Sequence, residues 1–369
     1  MATVFFYNFI LFSSTFFVWL SEKGRTKLDR WVLLGIAFLL VFVPAAIRYD
    51  IGTDYLNYLA IYEGTSAIKT LEPYKFKEPL FYFVNWFLKS VDAHFQWMFA
   101  AFAFIFTAAA FKAYPRKNAW LLHFLFFSML LFFSFNGLRQ AVALSLSFLA
   151  LFHFFERRYF WFFALSIVGA TFHQSALFIT AAGLAALIPL GIHLKTRIAP
   201  FVFIGFIGFT FISMSVVLVY LEQILNLVGL TKYAGYFSSS RHFIPRDFGT
   251  GLGVMAKLLF SIYIILNAKA LIELNKNYWL LIILTFAYAV GVVLANNIVI
   301  FGRMANTFIL APIIGAYLLF NLPKNKQVHR LVLTVFLLFL ILSFSKEGIG
   351  TETSYADPKR NPYQTIFSE

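Results

Sequence analysis

The chain of 369 residues contains no cysteine. That excludes disulfides, thiol nucleophiles and cysteine-based zinc sites, and it leaves the compartment unreadable from redox chemistry. Charged residues are also scarce, at 12% against about a quarter in an ordinary soluble domain. The acidic sign is the rarer, with 16 Asp and Glu against 30 Lys and Arg. No phosphate-binding Walker run, His-Glu-x-x-His or Gly-x-Ser-x-Gly occurs, so ATP-driven transport by this chain alone is not expected. Gly251-Leu-Gly253-Val-Met-Ala256 matches the relaxed dinucleotide fingerprint in letters only. No strand precedes it, and a membrane span follows. No internal repeat supports an inverted-repeat transporter. Met1–Leu20 holds no Lys or Arg and no small-residue cleavage site follows it, so a span is expected there rather than a cleaved signal peptide.

What fills the chain is apolar mass: 61% hydrophobic residues, 50 of them phenylalanine. One water-soluble core of this length cannot hide it. The runs are continuous rather than alternating, which argues against a transmembrane β-barrel. The expectation is an all-α polytopic membrane protein, one integral membrane domain over residues 1–369. A crossing needs roughly 20 apolar residues. Read that way, the chain offers about twelve: Val4–Leu20, Trp31–Ile47, Phe95–Phe111, Ala119–Phe135, Arg139–Phe155, Tyr159–Phe172, His173–Ile192, Ala199–Leu221, Gly253–Leu271, Tyr278–Ala295, Phe301–Phe320 and Arg330–Ser345. The sixth is short, and with the seventh it reads equally as one unit broken at Phe172-His173-Gln174-Ser175. The apolar stretch Pro79–Val91 reads as an interfacial or re-entrant helix.

Charge then orients the spans. Alternate loops hold Lys23, Arg25, Lys27 and Arg30; Lys112, Arg116 and Lys117; Arg157 and Arg158; Lys195 and Arg197; Lys269 and Lys276; Lys324, Lys326 and Arg330. Against these stand only Glu22, Asp29, Glu156 and Glu273, so these loops carry nearly all of the net +14. The positive-inside rule makes them cytoplasmic and places both termini outside. The basic balance then needs no nucleic-acid partner.

The opposite face comprises the loops 48–94 and 222–252, the Phe135–Gln140 junction, the break at His173, Asn296–Arg303 and the tail 346–369. Ionisable groups at that membrane edge are functional candidates. In Arg48-Tyr-Asp-Ile-Gly-Thr-Asp54, Gly52 permits a sharp turn. Thr53 is expected to cap a helix beginning near Asp54. Tyr55, Tyr58 and Tyr62 follow at helical spacing, as an aromatic belt or as a sugar platform. Arg48 can grip an anion, and Asp54 can serve as a base or simply satisfy a helix dipole. Glu78-Pro79 opens the next helix, where Glu78 is a cap or a working carboxylate. Arg139, followed by Gln140, lies at the hydrocarbon boundary. It either snorkels to lipid or turns its guanidinium fork to a pyrophosphate. His173 is a structural hydrogen-bonding group or a proton acceptor. No second histidine stands four residues on, so no metal site is expected. Arg303, with Arg241, His242 and Arg246 in the long loop, adds positive charge to the same face.

These residues carry a resemblance. Arg48-x-x-x-Gly52-Thr53-Asp54-x-x-x-Tyr58 resembles the N-terminal signature of the EpsG family. Glu78-Pro79, Arg139-Gln140 before an alanine-rich helix, His173-x-Ser175-Ala176 and Pro362-Tyr363 follow in similar order. That family is similar in role to the Wzy-type polymerases of exopolysaccharide, capsule and O-antigen assembly. The resemblance implies a glycosyltransferase without cofactor in a bacterial cytoplasmic membrane. Its donor would be a growing glycan on undecaprenyl pyrophosphate, and its acceptor a lipid-linked repeat unit. The base would be Asp54, ahead of His173 and Glu78. Arg48, Arg139, Gln140, Arg303, Tyr58, Arg241 and Arg246 would contact pyrophosphate or glycan. A chain-length regulator joins lipid and substrate as a candidate partner. The alternatives are a flippase or transporter of lipid-linked oligosaccharide, and a glycan ligase or acyltransferase.

Overall fold

Backbone in hydrocarbon must satisfy its own hydrogen bonds, and the computed structural model does so with helices. It describes residues 1–64, 78–191, 194–212, 220, 222–224, 226–227, 251–295, 299–351 and 359–368. Among these residues the only β pairing is one isolated bridge, Arg48 against Thr365. The described chain divides into two compact units, residues 1–180 with 337–369, and residues 181–336.

The first unit is built from α1 (Ala2–Ser21), α2 (Lys27–Ile47), α3 (Tyr55–Gly64), α4 (Pro79–Ser90), α5 (Gln96–Lys112), α6 (Ala119–Asn136), α7 (Leu138–Phe155) and α8 (Tyr159–Phe172). The break at His173 is real, and α9 (Ala176–Leu187) starts after it. Along α1, Phe5, Phe9, Phe12, Phe16 and Trp19 are exposed on one face, while Tyr7, Leu11, Ser14 and Val18 are buried on the other. An apolar stripe of that length facing outward is what a lipid-contacting helix requires. By contrast α6 and α7 are buried nearly all round. Gly169 of α8 lets the backbones of α7 and α8 approach, since a Cβ there would lie 3.2 Å from the Ala143 carbonyl.

The second unit comprises α10 (Ala199–Ile212), α11 (Leu252–Leu266), α12 (Ala268–Leu274), α13 (Trp279–Leu294), α14 (Val299–Thr307), α15 (Leu310–Asn321) and the start of α16 (Lys326–Glu347). Phe203 stacks on Phe286 at 4.5 Å, and Phe260 on Phe336 at 3.8 Å. Gly291 brings α13 against Ala305 of α14.

Among the described residues, seven helices are long and apolar enough to cross a membrane: Ala2–Ser21, Lys27–Ile47, Ala119–Asn136, Leu138–Phe155, Lys276–Leu294, Phe301–Asn321 and Lys326–Glu347. An eighth arises if Leu252–Leu266 and Ala268–Leu274, bent by 53°, form one span. The chain is thus a multi-pass membrane protein. The expected twelve crossings are not reached among the described residues. Gln96–Lys112, Tyr159–Phe172 and Ala176–Leu187 are shorter apolar helices of 17, 14 and 12 residues. Pro79–Ser90 is a separate 12-residue helix with proline in its first turn, as expected.

Candidate functional site

In the first unit the polar contacts between loops gather at two ends of the helices. At one end Glu22 accepts the backbone N–H groups of Asn118 and Trp120, each at 3.1 Å, and so caps α6. Thr26 and Asp29 form a reciprocal capping box on α2, each bond 3.0 Å long. Charge there closes helix ends.

At the other end α2 stops at Arg48. The following turn is possible only because residue 52 is glycine. Its φ is +98°, and a Cβ would lie 2.6 Å from Asn136 Oδ1 and 2.7 Å from the Phe135 carbonyl. The turn therefore lies directly on the α6–α7 junction, where Asn136 Oδ1 accepts the Thr53 N–H at 3.0 Å. The expected Thr53 side-chain cap does not form. The backbone N–H is bonded to Asn136 instead, and the buried Thr53 hydroxyl has no hydrogen-bond partner among the described residues. Arg48 is 1% exposed. Its Nη1 donates to Ala45 O of its own helix at 2.6 Å. Its guanidinium lies between the rings of Phe99 at 4.7 Å and Phe135 at 4.9 Å. Burial pulls its pKa down to about 10, so it stays charged at neutral pH. Gln96 donates to the carbonyls of Ala46 and Arg48.

One helical turn further on, Asp54 is half-exposed and accepts from Asn57 Nδ2 at 3.2 Å. Tyr55, Tyr58 and Tyr62 share the buried face of α3. They pack inward, Tyr55 stacking on Phe99 at 4.6 Å, and so do not form an exposed sugar platform. Tyr58 lies under Arg139, whose guanidinium stands 5.9 Å from its ring and 4.9 Å from that of Phe81. Burial pushes the Tyr58 phenol up, against the pull of the Arg139 charge, while Asp54 adds to the rise.

Glu78 joins the remaining parts. It is the residue before α4, yet its side chain caps nothing. One carboxylate oxygen pairs with Arg139 Nη1, and the other faces His173 Nε2 at 3.9 Å. Glu78 is 12% exposed, Arg139 29% and His173 31%, so the cluster is shielded but reachable. Arg139 Nε is buried without a hydrogen-bond partner among the described residues. His173 Nδ1 accepts the Ser175 N–H at 3.3 Å and meets the Ser175 hydroxyl at 2.8 Å. A ring nitrogen that accepts a backbone N–H carries no proton, so the proton sits on Nε2, toward Glu78.

Sequence reasoning therefore named Arg48, Asp54, Tyr58, Glu78, Arg139 and His173, and the first unit gathers them around the ends of α2, α4, α6 and α8. Gln140 is buried beside Arg139 on α7. Arg303 stands exposed on α14 in the second unit. Arg241 and Arg246 lie outside the described residues. Two partners were missed, Asn136 and Gln96; the tail was placed on this face and Pro362-Tyr363 singled out, but its contacts with residues 47–52 were not foreseen. Asn136 sits in the Asn-Gly junction that joins α6 to α7 with almost no loop, and a polar residue at that position was the available signal. No group of three or more His, Asp or Glu converges among the described residues in a way that would hold a metal ion.

The spans, and a carboxylate–arginine–histidine cluster at one end of the first unit's helices, define a multi-pass helical membrane protein with a shielded polar cluster. A family model described as the EpsG family matches residues 31–364. The chain belongs to the EpsG family, the family of Wzy-like polysaccharide polymerases. No curated protein and no solved structure matches it.

Proposed function

We propose that this protein extends a glycan at the outer face of a bacterial cytoplasmic membrane, with both termini on that side. The donor is a growing chain on undecaprenyl pyrophosphate, and the acceptor is a lipid-linked repeat unit. A hydroxyl at the acceptor's non-reducing end attacks the donor's anomeric carbon. The bond from that carbon to the pyrophosphate oxygen breaks, and its electron pair leaves with undecaprenyl pyrophosphate. The hydroxyl proton passes to a carboxylate.

The observation that supports this reading is Arg139. Glu78 holds one of its nitrogens, the rings of Tyr58 and Phe81 support it, and Nε stays unpartnered. A guanidinium fixed in this way is preorganised for charge that grows on a leaving phosphate. Asp54 is the preferred base. His173 already carries its proton on the nitrogen facing Glu78, and Glu78 is committed to Arg139. Arg303 is a further proposed phosphate contact, and the long loop carries Arg241 and Arg246 in the same role.

The test is reconstitution of the purified protein with one lipid-linked repeat unit, followed by product sizing. Products longer than one repeat are expected. A protein that only moved the lipid across the bilayer would leave single repeats. Reporter fusions at Arg116 and Thr250 check the orientation, with opposite signals expected.

A further inference from the structure

The C-terminal segment folds back onto the turn that carries Asp54. Tyr49 N–H donates to Gln364 O at 2.9 Å and Ile366 N–H to Ile47 O at 3.1 Å, which sets Arg48 opposite Thr365 in a short antiparallel pair. Gly52 N–H donates to Lys359 O at 2.8 Å, and Lys359 Nζ pairs with Asp50. The Tyr363 hydroxyl donates to Pro44 O at 2.9 Å, and its ring lies 4.5 Å from Phe6. Tyr7 donates to Arg360 O at 3.1 Å, while the Arg360 guanidinium bonds Glu347 and covers Phe132 at 4.6 Å. Ten residues thus tie α1, α2, α6 and the end of α16 together across residues 47–52.

The turn itself has neither helix nor sheet to hold it. Asn136 fixes its far side through Thr53, and the tail takes up the N–H groups of Tyr49 and Gly52 and the Ile47 carbonyl. Without the tail these groups would turn to water, and Arg48 would be uncovered. The turn places Asp54, one helical turn before the Tyr58 that supports Arg139. Catalytic groups must hold their geometry closely, and a shift of about 1 Å costs on the order of 10²-fold.

We infer that residues 359–368 are a positioning element of the polymerase site, fixing Asp54 and Arg48 through the turn at 48–52. This rests on the polymerase reading above.

The cysteine-free chain permits a reversible test. Tyr49 and Gln364 adjoin the bridged pair and share one backbone hydrogen bond of 2.9 Å, which brings them near the spacing of about 5.5–6 Å between Cα atoms that a disulfide needs. The full chain carries Tyr49→Cys and Gln364→Cys, with Tyr363→Ala to loosen the tail. Elongation is measured on lipid-linked repeat units extracted from the producing cells, with the same protein oxidised and then reduced. In the reduced form kcat should fall on the order of 10²-fold with KM little changed, and in the oxidised form it should return to within about threefold of the unmutated chain. Folding is common to both states, so a merely structural tail would give equal rates and overturn the inference. A tail that must open for substrate would give the reverse order, active reduced and silent oxidised, and would overturn it too. If the unmutated chain fails to elongate, the polymerase reading falls with it.

Discussion

Two glutamates at opposite ends of the same helical unit do different things. Glu22 spends both carboxylate oxygens on the backbone N–H groups that open α6. Glu78 stands where a cap would stand, before Pro79, and leaves the helix uncapped. It turns instead to a guanidinium and an imidazole delivered by α7 and by the α8–α9 break. Asp29 and Asp54 repeat the contrast: the first closes a capping box on its own helix, and the second is half-exposed beside Asn57. Acidic residues are rare in this chain: Glu22 and Asp29 at one end complete secondary structure, while Glu78 at the other meets Arg139 and His173 from separate elements. Convergence of charges from separate helices, without a structural debt to settle, marks the site.

The comparison is sharpened first by removing the base. Asp54→Asn should slow elongation by about 10²–10⁴-fold, the usual worth of general-base assistance, with lipid-linked substrate still bound. Asp29→Asn should leave elongation unchanged. Equal effects would break the contrast between the two ends. Arg139→Lys comes next. Lysine keeps the charge and loses the fork, so a loss of about 10²–10³-fold is expected in the same assay, with normal membrane insertion. Normal elongation would make Arg139 a lipid anchor.

Smaller effects lie in the backbone. Gly52→Ala should lower the melting temperature in detergent. A left-handed residue with a side chain costs at least about 1–2 kcal/mol, and the Cβ would strike the Phe135 carbonyl. Gly35→Ala, in α2 with open space around it, should raise the melting temperature, through a gain of about 1 kcal/mol in helix propensity. Thr26→Ala should cost about 1 kcal/mol of stability and nothing in elongation, since it touches only the capping end.

The helices were legible because hydropathy writes them directly. Every described helix of α1 to α16 except the short α3 falls on an apolar run read from the sequence, and even α3 was signalled by Tyr55, Tyr58 and Tyr62. Whether a run crosses the bilayer was less legible. Ala176–Leu187 is a helix of 12 residues inside the longer apolar run His173–Ile192, and hydropathy does not show where a helix ends. In the site, the residue types were readable one by one. Their pairing was not, because Glu78 and Arg139 lie 61 positions apart. Thr53 misled for a related reason: its local pattern favours a cap, but a tertiary partner, Asn136, took the backbone N–H first. Pro362-Tyr363 in the tail was readable as a motif, but the tail's contacts were not, since its bonds reach back more than 300 residues.

The central claim is that the acidic group at the site end works and its counterpart at the other end does not. The most direct measurement is elongation by Glu78→Gln and Glu22→Gln proteins at equal abundance in the membrane, read as glycan length. Loss of the Glu78 carboxylate strips Arg139 of its partner in a shielded site, so products should collapse toward a single repeat. Glu22→Gln should give the full ladder. A full ladder from Glu78→Gln, or equal shortening in both, would contradict the account.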